Sequence, residues 1–189
     1  MDIRKTDIPD VVALTPRRFG DARGWFTESW NARRMAEAGL DIRFVQDNES
    51  FSADPGTVRG LHFQAPPHAQ GKLVRVLSGA IIDVAVDVRR GSPSFGKWVK
   101  EELSAENGVQ LWVPAGFLHG FATLQPNTQV AYKVTDFYAP EADGSVRFDD
   151  PALAIDWGID TTAAVLSDKD AAAGSFQDFE TPFSWEANT

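Results

Sequence analysis

The sequence contains no cysteine. Disulfide staples, zinc–thiolate sites and a cysteine nucleophile are therefore excluded. It has only three histidines and two tyrosines, so every candidate imidazole and phenol can be weighed singly. It also lacks a long apolar run. The longest stretch, around Ala80 to Val88, is interrupted by Asp83 and Asp87, and a membrane-spanning helix needs roughly 20 predominantly apolar residues. Met1 to Asp10 is polar and charged, with no apolar signal region. Basic residues are in deficit, with 18 Lys and Arg against 27 Asp and Glu, a formal net charge of −9. That argues against nucleic acid or an anionic membrane as the main partner, since both need broad basic surfaces. It does not exclude a small polyanion, because a diphosphate needs only a few Arg or Lys in one pocket. These absences lead to the expectation of a soluble cytoplasmic protein.

The 189 residues fit one domain, 1–189, and at 43% apolar composition they can build a sizeable core. Six Trp and 13 Phe suggest packed sheets. Thr57 to Gln64, Gly71 to Leu77 and Ala80 to Val88 are rich in Val, Ile and Leu and read as strands. Ile82, Val84, Val86 and Val88 share one face of the last, with Asp83 and Asp87 on the other. Ser78-Gly79 and Gly91-Ser92-Pro93-Ser94 read as turns. Further strands are expected over Lys97 to Leu103, Val109 to Val113, Gly120 to Leu124 and Gln129 to Phe137. Helices are few and short. Asn31 caps a segment that runs through Met35 and stops at Gly39. Ser167 and Asp170 have capping-box-like spacing before three Ala and Gly174. The fold class is therefore all-β, a sandwich or barrel with a few short helices. Strand counting does not choose between a jelly roll and other all-β architectures.

His62 lies in Arg59-Gly60-Leu61-His62-Phe63-Gln64, where strand alternation places Gly60, His62 and Gln64 opposite Arg59, Leu61 and Phe63. It is either a base or a satisfied histidine of the sheet wall. His119, in Pro114-Ala115-Gly116-Phe117-Leu118-His119-Gly120-Phe121, is open to the same two readings. His68, in a Pro-rich loop, reads as solvated. No two histidines are one or four residues apart, and nothing beside His62 offers a second ligand, so no metal is expected. Arg23 beside Trp25 and Phe26, Arg59, Lys72 and Arg75 are ordinary surface charges taken singly. As a set they suit a diphosphate and a stacked base. Tyr132 and Tyr138, six positions apart, share a face if their strand is regular, and either is a proton donor or a barrel residue with a satisfied hydroxyl. Asp170 has the capping role as its alternative.

Several segments together resemble the dTDP-4-dehydrorhamnose 3,5-epimerase family. They are Phe19-Gly20-Asp21-Ala22-Arg23-Gly24, Phe44-Val45-Gln46-Asp47-Asn48, Val58 to Gln64, Ala69-Gln70-Gly71-Lys72-Leu73-Val74-Arg75, Gln110-Leu111-Trp112-Val113-Pro114, Gly116 to Phe121 and Leu166-Ser167-Asp168-Lys169-Asp170. The resemblance runs from about residue 5 to 175. It implies a cupin-type β jelly roll, a homodimer, a dTDP-linked keto-sugar as substrate and no cofactor. It further implies His62 as base, Asp170 as its carboxylate partner, Tyr132 as proton donor and Lys72 near the keto oxygen. Arg59 and His119 match substrate-binding positions around the diphosphate and sugar. Arg23, Phe26, Glu28, Gln46 and Asn48 match nucleotide-side positions, some of them supplied across the dimer. Asp143 and Lys169 match further binding positions. Asp143 stands where the family often has Glu, and Phe148 where it often has Trp.

These implied roles agree with the chemistry of the reaction. A proton α to a ketone is acidic because the enolate places charge on oxygen, so a base must take the proton while a cation or donor faces the oxygen. Inversion then requires protonation from the opposite face. Carbons 3 and 5 flank one keto carbon, so one site can serve both. Relatives that epimerise one carbon only share most of these motifs. A ketoisomerase of the same fold is disfavoured by the matches at Tyr132 and Asp170. A sugar-nucleotide binding module would need no base.

Overall fold

The computed structural model describes residues 1–186. In chain order the elements are β1 (Asp2–Lys5), β2 (Val12–Thr15), β3 (Arg18–Asp21), β4 (Gly24–Thr27), α1 (Ala32–Glu37), β5 (Gln46–Ser52), β6 (Val58–Gln64) and β7 (Lys72–Ser78). They continue with β8 (Ala80–Asp87), β9 (Trp98–Ser104), β10 (Gln110–Val113), β11 (Phe117–Thr123), β12 (Thr128–Val134), β13 (Asp143–Ser145) and α2 (Asp168–Ala171). One sheet has the order β1-β2-β10-β7-β12-β5, a second β13-β6-β11-β8-β9, and β3–β4 is a separate hairpin. The central pairings are nested, first with last: β5 with β12, β6 with β11, β7 with β10 and β8 with β9, all antiparallel. That is one long ribbon rolled up on itself, the jelly roll. Gly79, at φ +79°, lets the chain switch sheets between β7 and β8.

Period-two patterning explains the layers. Ile81 and Ala85 of β8 meet Val74, Val76, Leu111, Phe117, Phe121 and Val130 between the sheets. Its other face, Val84, Val86 and Val88, packs with Leu61, Leu118 and the C-terminal segment through Val146, Phe148, Trp157 and Phe183. Both faces of β8 are thus covered, and Asp83 and Asp87, on the inner face, are fully buried. The opposite outer face carries Leu14, Leu73 and Trp112 under Met35 of α1, with Trp30 and Phe44. Burying each such side chain stabilises the fold by roughly 1.5–3 kcal/mol before entropy is charged.

The helix caps form as the sequence indicates. Asn31 Oδ1 accepts from Arg34 N at 3.1 Å, and Ser167 Oγ accepts from Asp170 N at 3.2 Å. Other expectations are corrected. β11 starts at Phe117 rather than Gly120, and β12 stops at Val134 rather than Phe137. Tyr138 therefore lies outside the strand that holds Tyr132. β1 to β5 and β13 had no clear sequence signal. His68 is not simply solvated: its Nδ1 lies 3.3 Å from Asp136 Oδ2.

Candidate active site

The space between the sheets is apolar at one end and polar at the other. At the polar end two adjoining cavities of about 360 and 370 Å³ share His62, Lys72 and Tyr132 in their linings. The first adds Arg59, His119, Ser50, Val165 and Leu166. The second adds Gln46, Asn48, Gln70, Tyr138, Asp143 and Lys169. His62 comes from β6 in the five-stranded sheet and Tyr132 from β12 in the six-stranded sheet. The imidazole and the phenol therefore stand on opposite walls.

Strict alternation along β6 is broken, which corrects the expected facing of Arg59. His62 pairs with His119 but Arg59 with Phe121, so the register shifts by one residue. Arg59 and His62 then line the same cavity while Leu61 enters the core. Glycine is required at this irregularity. A Cβ on Gly60, at φ +129°, would lie 2.6 Å from Gly120 Cα and 2.8 Å from His119 O. Arg59 is held by β5, donating from Nη2 to Phe51 O at 2.9 Å and from Nε to Ser52 Oγ at 3.3 Å.

His62 Nε2 lies 2.5 Å from Asp170 Oδ1. Asp170 is only 4% exposed. Burial alone would raise its pKa, but bonds from His62, Ser167 and the Gly60 backbone outweigh it and hold the carboxyl below the usual range. An ionised carboxylate on Nε2 fixes the tautomer and leaves Nδ1 as the lone-pair nitrogen. Burial lowers the Lys72 ammonium to about 8, against the pull of Asp143 and Asp83. Burial raises the Tyr132 phenol, with Arg59 opposing, so the phenol keeps its proton at neutral pH. His119 Nε2 lies 2.7 Å from Asp83 Oδ1.

The second cavity is a linked polar wall. Gln46 Nε2 donates to Asn48 Oδ1 at 2.8 Å, and the Tyr138 backbone N–H donates to Gln46 Oε1 at 3.2 Å. Asp143 accepts from Tyr138 Oη at 3.2 Å and from Lys169 Nζ. Ser50, Gln70 and Asp83 are site neighbours that sequence reading missed. Tyr138, weighed beside Tyr132 as a proton donor, lines the second cavity only.

Arg23, Phe26 and Glu28 are not brought to these cavities within one chain. Arg23 sits at the tip of the β3–β4 hairpin, with Nη2 2.5 Å from Asp21 Oδ2. Phe26 is 69% and Trp25 59% exposed. Glu28 Oε1 lies 3.1 Å from Arg34 Nη1. Among the described residues no group of three or more His, Asp or Glu is placed to hold a metal ion. No helix among them is long and apolar enough to cross a membrane. A base and an acid on opposite walls with a cation beside them can deprotonate a carbon next to a carbonyl and reprotonate it from the other side.

The sequence model of the family described as dTDP-4-dehydrorhamnose 3,5-epimerase matches residues 5–178. The chain belongs to that family. Dehydrorhamnose epimerases of known sequence are close to it. That of Sinorhizobium fredii is 52% identical over 185 residues, covering 98% of this chain and 94% of its own. That of Pseudomonas aeruginosa is 52% identical over 179 residues, 94% of this chain and 97% of its own. Among solved structures, the 3,5-epimerase of Legionella pneumophila, in complex with dTDP-4-keto-L-rhamnose, superposes with a TM-score of 0.93 at 46% identity, covering 98% of this chain and 99% of that one. The jelly roll of this epimerase family is accordingly the cupin-type sandwich, and all the cavity residues named above lie within the matched span.

Proposed function

We propose that the protein epimerises dTDP-4-dehydro-6-deoxy-D-glucose at carbons 3 and 5, giving dTDP-4-dehydro-L-rhamnose. One observation carries this reading: His62 and Tyr132 face the same cavity from opposite sheets, with Lys72 in its lining. His62 Nδ1 takes the proton α to the ketone, and Asp170 stabilises the imidazolium that results. The C–H electron pair moves into the enolate, whose oxygen faces the Lys72 ammonium. Tyr132 donates to the same carbon from the other wall, inverting it. The second flanking carbon repeats the sequence after the ring shifts. Redox chemistry and a cofactor are not needed for these steps.

Arg59 and His119 hold the diphosphate and sugar. Gln46, Asn48, Asp143 and Lys169 supply polar contacts toward the nucleotide. Arg23, Phe26 and Glu28 act across a homodimer, which is supported by a hairpin that presents exposed rings and a guanidinium away from its own cavities. The chain acts as one domain, 1–189, in the cytoplasm. Incubation with the keto-sugar followed by NMR tests the reading. Inversion at both carbons supports it; an unchanged sugar refutes it, and inversion at one carbon reassigns the chain to the single-position enzymes.

A further inference from the structure

The hairpin β3–β4 belongs to neither main sheet, and a two-stranded hairpin is at best marginally stable alone in water. Something outside it must therefore fix its aim. Its register pairs Arg18 with Thr27, Phe19 with Phe26 and Gly20 with Trp25. Strand alternation then places Arg18, Trp25 and Thr27 on one face and Phe19 and Phe26 on the other. The first face lines a small cavity of about 120 Å³ against Val76, Ala105 and Gly108 of the body. The second carries the exposed Phe19 and Phe26. Arg18, half-buried, makes the attachment. Its Nη1 donates to Glu106 O and its Nη2 to Ala105 O, both at 2.6 Å, in the turn between β9 and β10. Its guanidinium lies 4.3 Å from the Trp25 ring centroid. The turn is built to receive it. Asn107 Oδ1 accepts from Ser104 N at 3.0 Å and Val109 N at 2.9 Å, and its Nδ2 donates to Glu102 O at 2.8 Å. Gly108, at φ +64°, keeps the space clear, since a Cβ there would lie 2.9 Å from Arg18 Nη2. Among the described residues the hairpin's other side-chain bonds stay local, Arg23 to Asp21 and Thr27 to Arg17 O.

We infer that Arg18 is a positioning residue for nucleotide binding: it clamps one face of the hairpin to the β9–β10 turn, so that Arg23 and Phe26 are presented in the orientation that meets the nucleotide. The inference rests on the reading of Arg23, Phe26 and Glu28 as nucleotide-side residues. Its physical content is pre-organisation. A hairpin that swings among several aims must be ordered at the moment of binding, and apparent affinity falls in proportion to the fraction of molecules already aimed. A guanidinium suits the task because its fixed fork reaches two carbonyls at once while its plane covers an aromatic ring. A lysine ammonium offers neither the fork nor the plane.

The test measures dTDP binding by calorimetry, kcat and KM for the keto-sugar, and hydrogen exchange of the β3–β4 amides. In Arg18→Met the hairpin amides should exchange about tenfold faster while those of β8 are unchanged. The Kd for dTDP and the KM should each rise about tenfold, with kcat held within about twofold. Arg18→Lys, which keeps the charge without the fork, should fall between wild type and Arg18→Met. In a background of Arg23→Ala with Phe26→Ala, Arg18→Met should add little to the loss of affinity. Unchanged hairpin exchange or unchanged dTDP affinity in Arg18→Met overturns the inference, and so does a fall in kcat with affinity kept. Arg23→Ala separates the two readings. If it weakens dTDP binding and Arg18→Met does not, the inference fails alone; if neither does, the nucleotide role of the hairpin fails and takes the inference with it. Should Arg18→Met fail to fold, Gly108→Ala, which crowds the guanidinium from the turn side, is read in the same way. Because dTDP binding needs no turnover, weakened binding in a protein inactive on the keto-sugar would keep the clamp and sink the proposed epimerisation.

Discussion

Replacing Asp170 by Asn removes one charge from the proposed base while keeping the side-chain shape. In the wild-type protein, taking a proton onto His62 creates an imidazolium 2.5 Å from a carboxylate that is 4% exposed. Unit charges about 3.5 Å apart attract by roughly 5 kcal/mol at an effective dielectric constant near 20. An amide oxygen still accepts from Nε2, so part of this survives as a neutral hydrogen bond, about half as strong as a charged one. His62 is also partly open to solvent, which screens the pair. The net loss is about 2–4 kcal/mol, or roughly 30- to 1000-fold in rate at 1.36 kcal/mol per decade. The assay is exchange of the substrate's α-protons with deuterated solvent, followed by NMR alongside kcat. Both should fall together, with KM little changed and the thermal midpoint within a few degrees of wild type. An Asp170→Asn enzyme that exchanged within about threefold of the wild-type rate would refute the reasoning, since a general base of this kind contributes roughly 10²–10⁴-fold.

The remaining expectations can be taken together. The kcat/KM profile should fall as pH rises through about 8, because the Lys72 ammonium is the active form and is lost there; Lys72→Arg should remove that limb, and an unchanged limb would contradict the assignment. Gly60→Ala must push β6 away from β11, given contacts of 2.6 and 2.8 Å. It should cost upwards of roughly 1–3 kcal/mol in a denaturant melt and lower kcat by displacing both His62 and His119. Arg23→Ala should raise KM about tenfold with kcat nearly unchanged, because the group it contacts does not react. With substrate well below KM, mixing Arg23→Ala with His62→Ala subunits should raise the rate above the sum of the two parents through hybrid dimers that carry one intact site, and a merely additive rate would refute the cross-dimer arrangement.

Local signals carried the parts of the fold that local physics controls. The caps at Asn31 and Ser167 are side-chain bonds within three residues, and both form. β8 shows a β-branched run because it is buried on both faces. β5 was missed for the opposite reason. It reads Gln46-Asp47-Asn48-Glu49-Ser50-Phe51-Ser52, because one face lines the cavities and the other faces outward. The hairpin β3–β4 is short and exposed, with no core face to impose alternation. The site itself depends on long-range geometry. His62 and Asp170 are 108 positions apart, and the register shift that turns Arg59 toward His62 arises from the close approach of Gly60 to Gly120. Family resemblance named the dyad; spacing did not. Asp83 looked like one more polar residue of an alternating strand; its burial and its bond to His119 are visible only in three dimensions.

The most direct test of the central claim is where solvent deuterium enters the sugar when each wall of the cavity is altered. In deuterated water, wild-type protein acting on dTDP-4-dehydro-6-deoxy-D-glucose should place deuterium at carbons 3 and 5, with both centres inverted. His62→Ala should block exchange at both carbons. Tyr132→Phe should still exchange protons by way of the His62 face while forming little inverted product. Near wild-type exchange in His62→Ala, or full inversion in Tyr132→Phe, would contradict a mechanism in which the two sheets supply base and acid to opposite faces of one sugar.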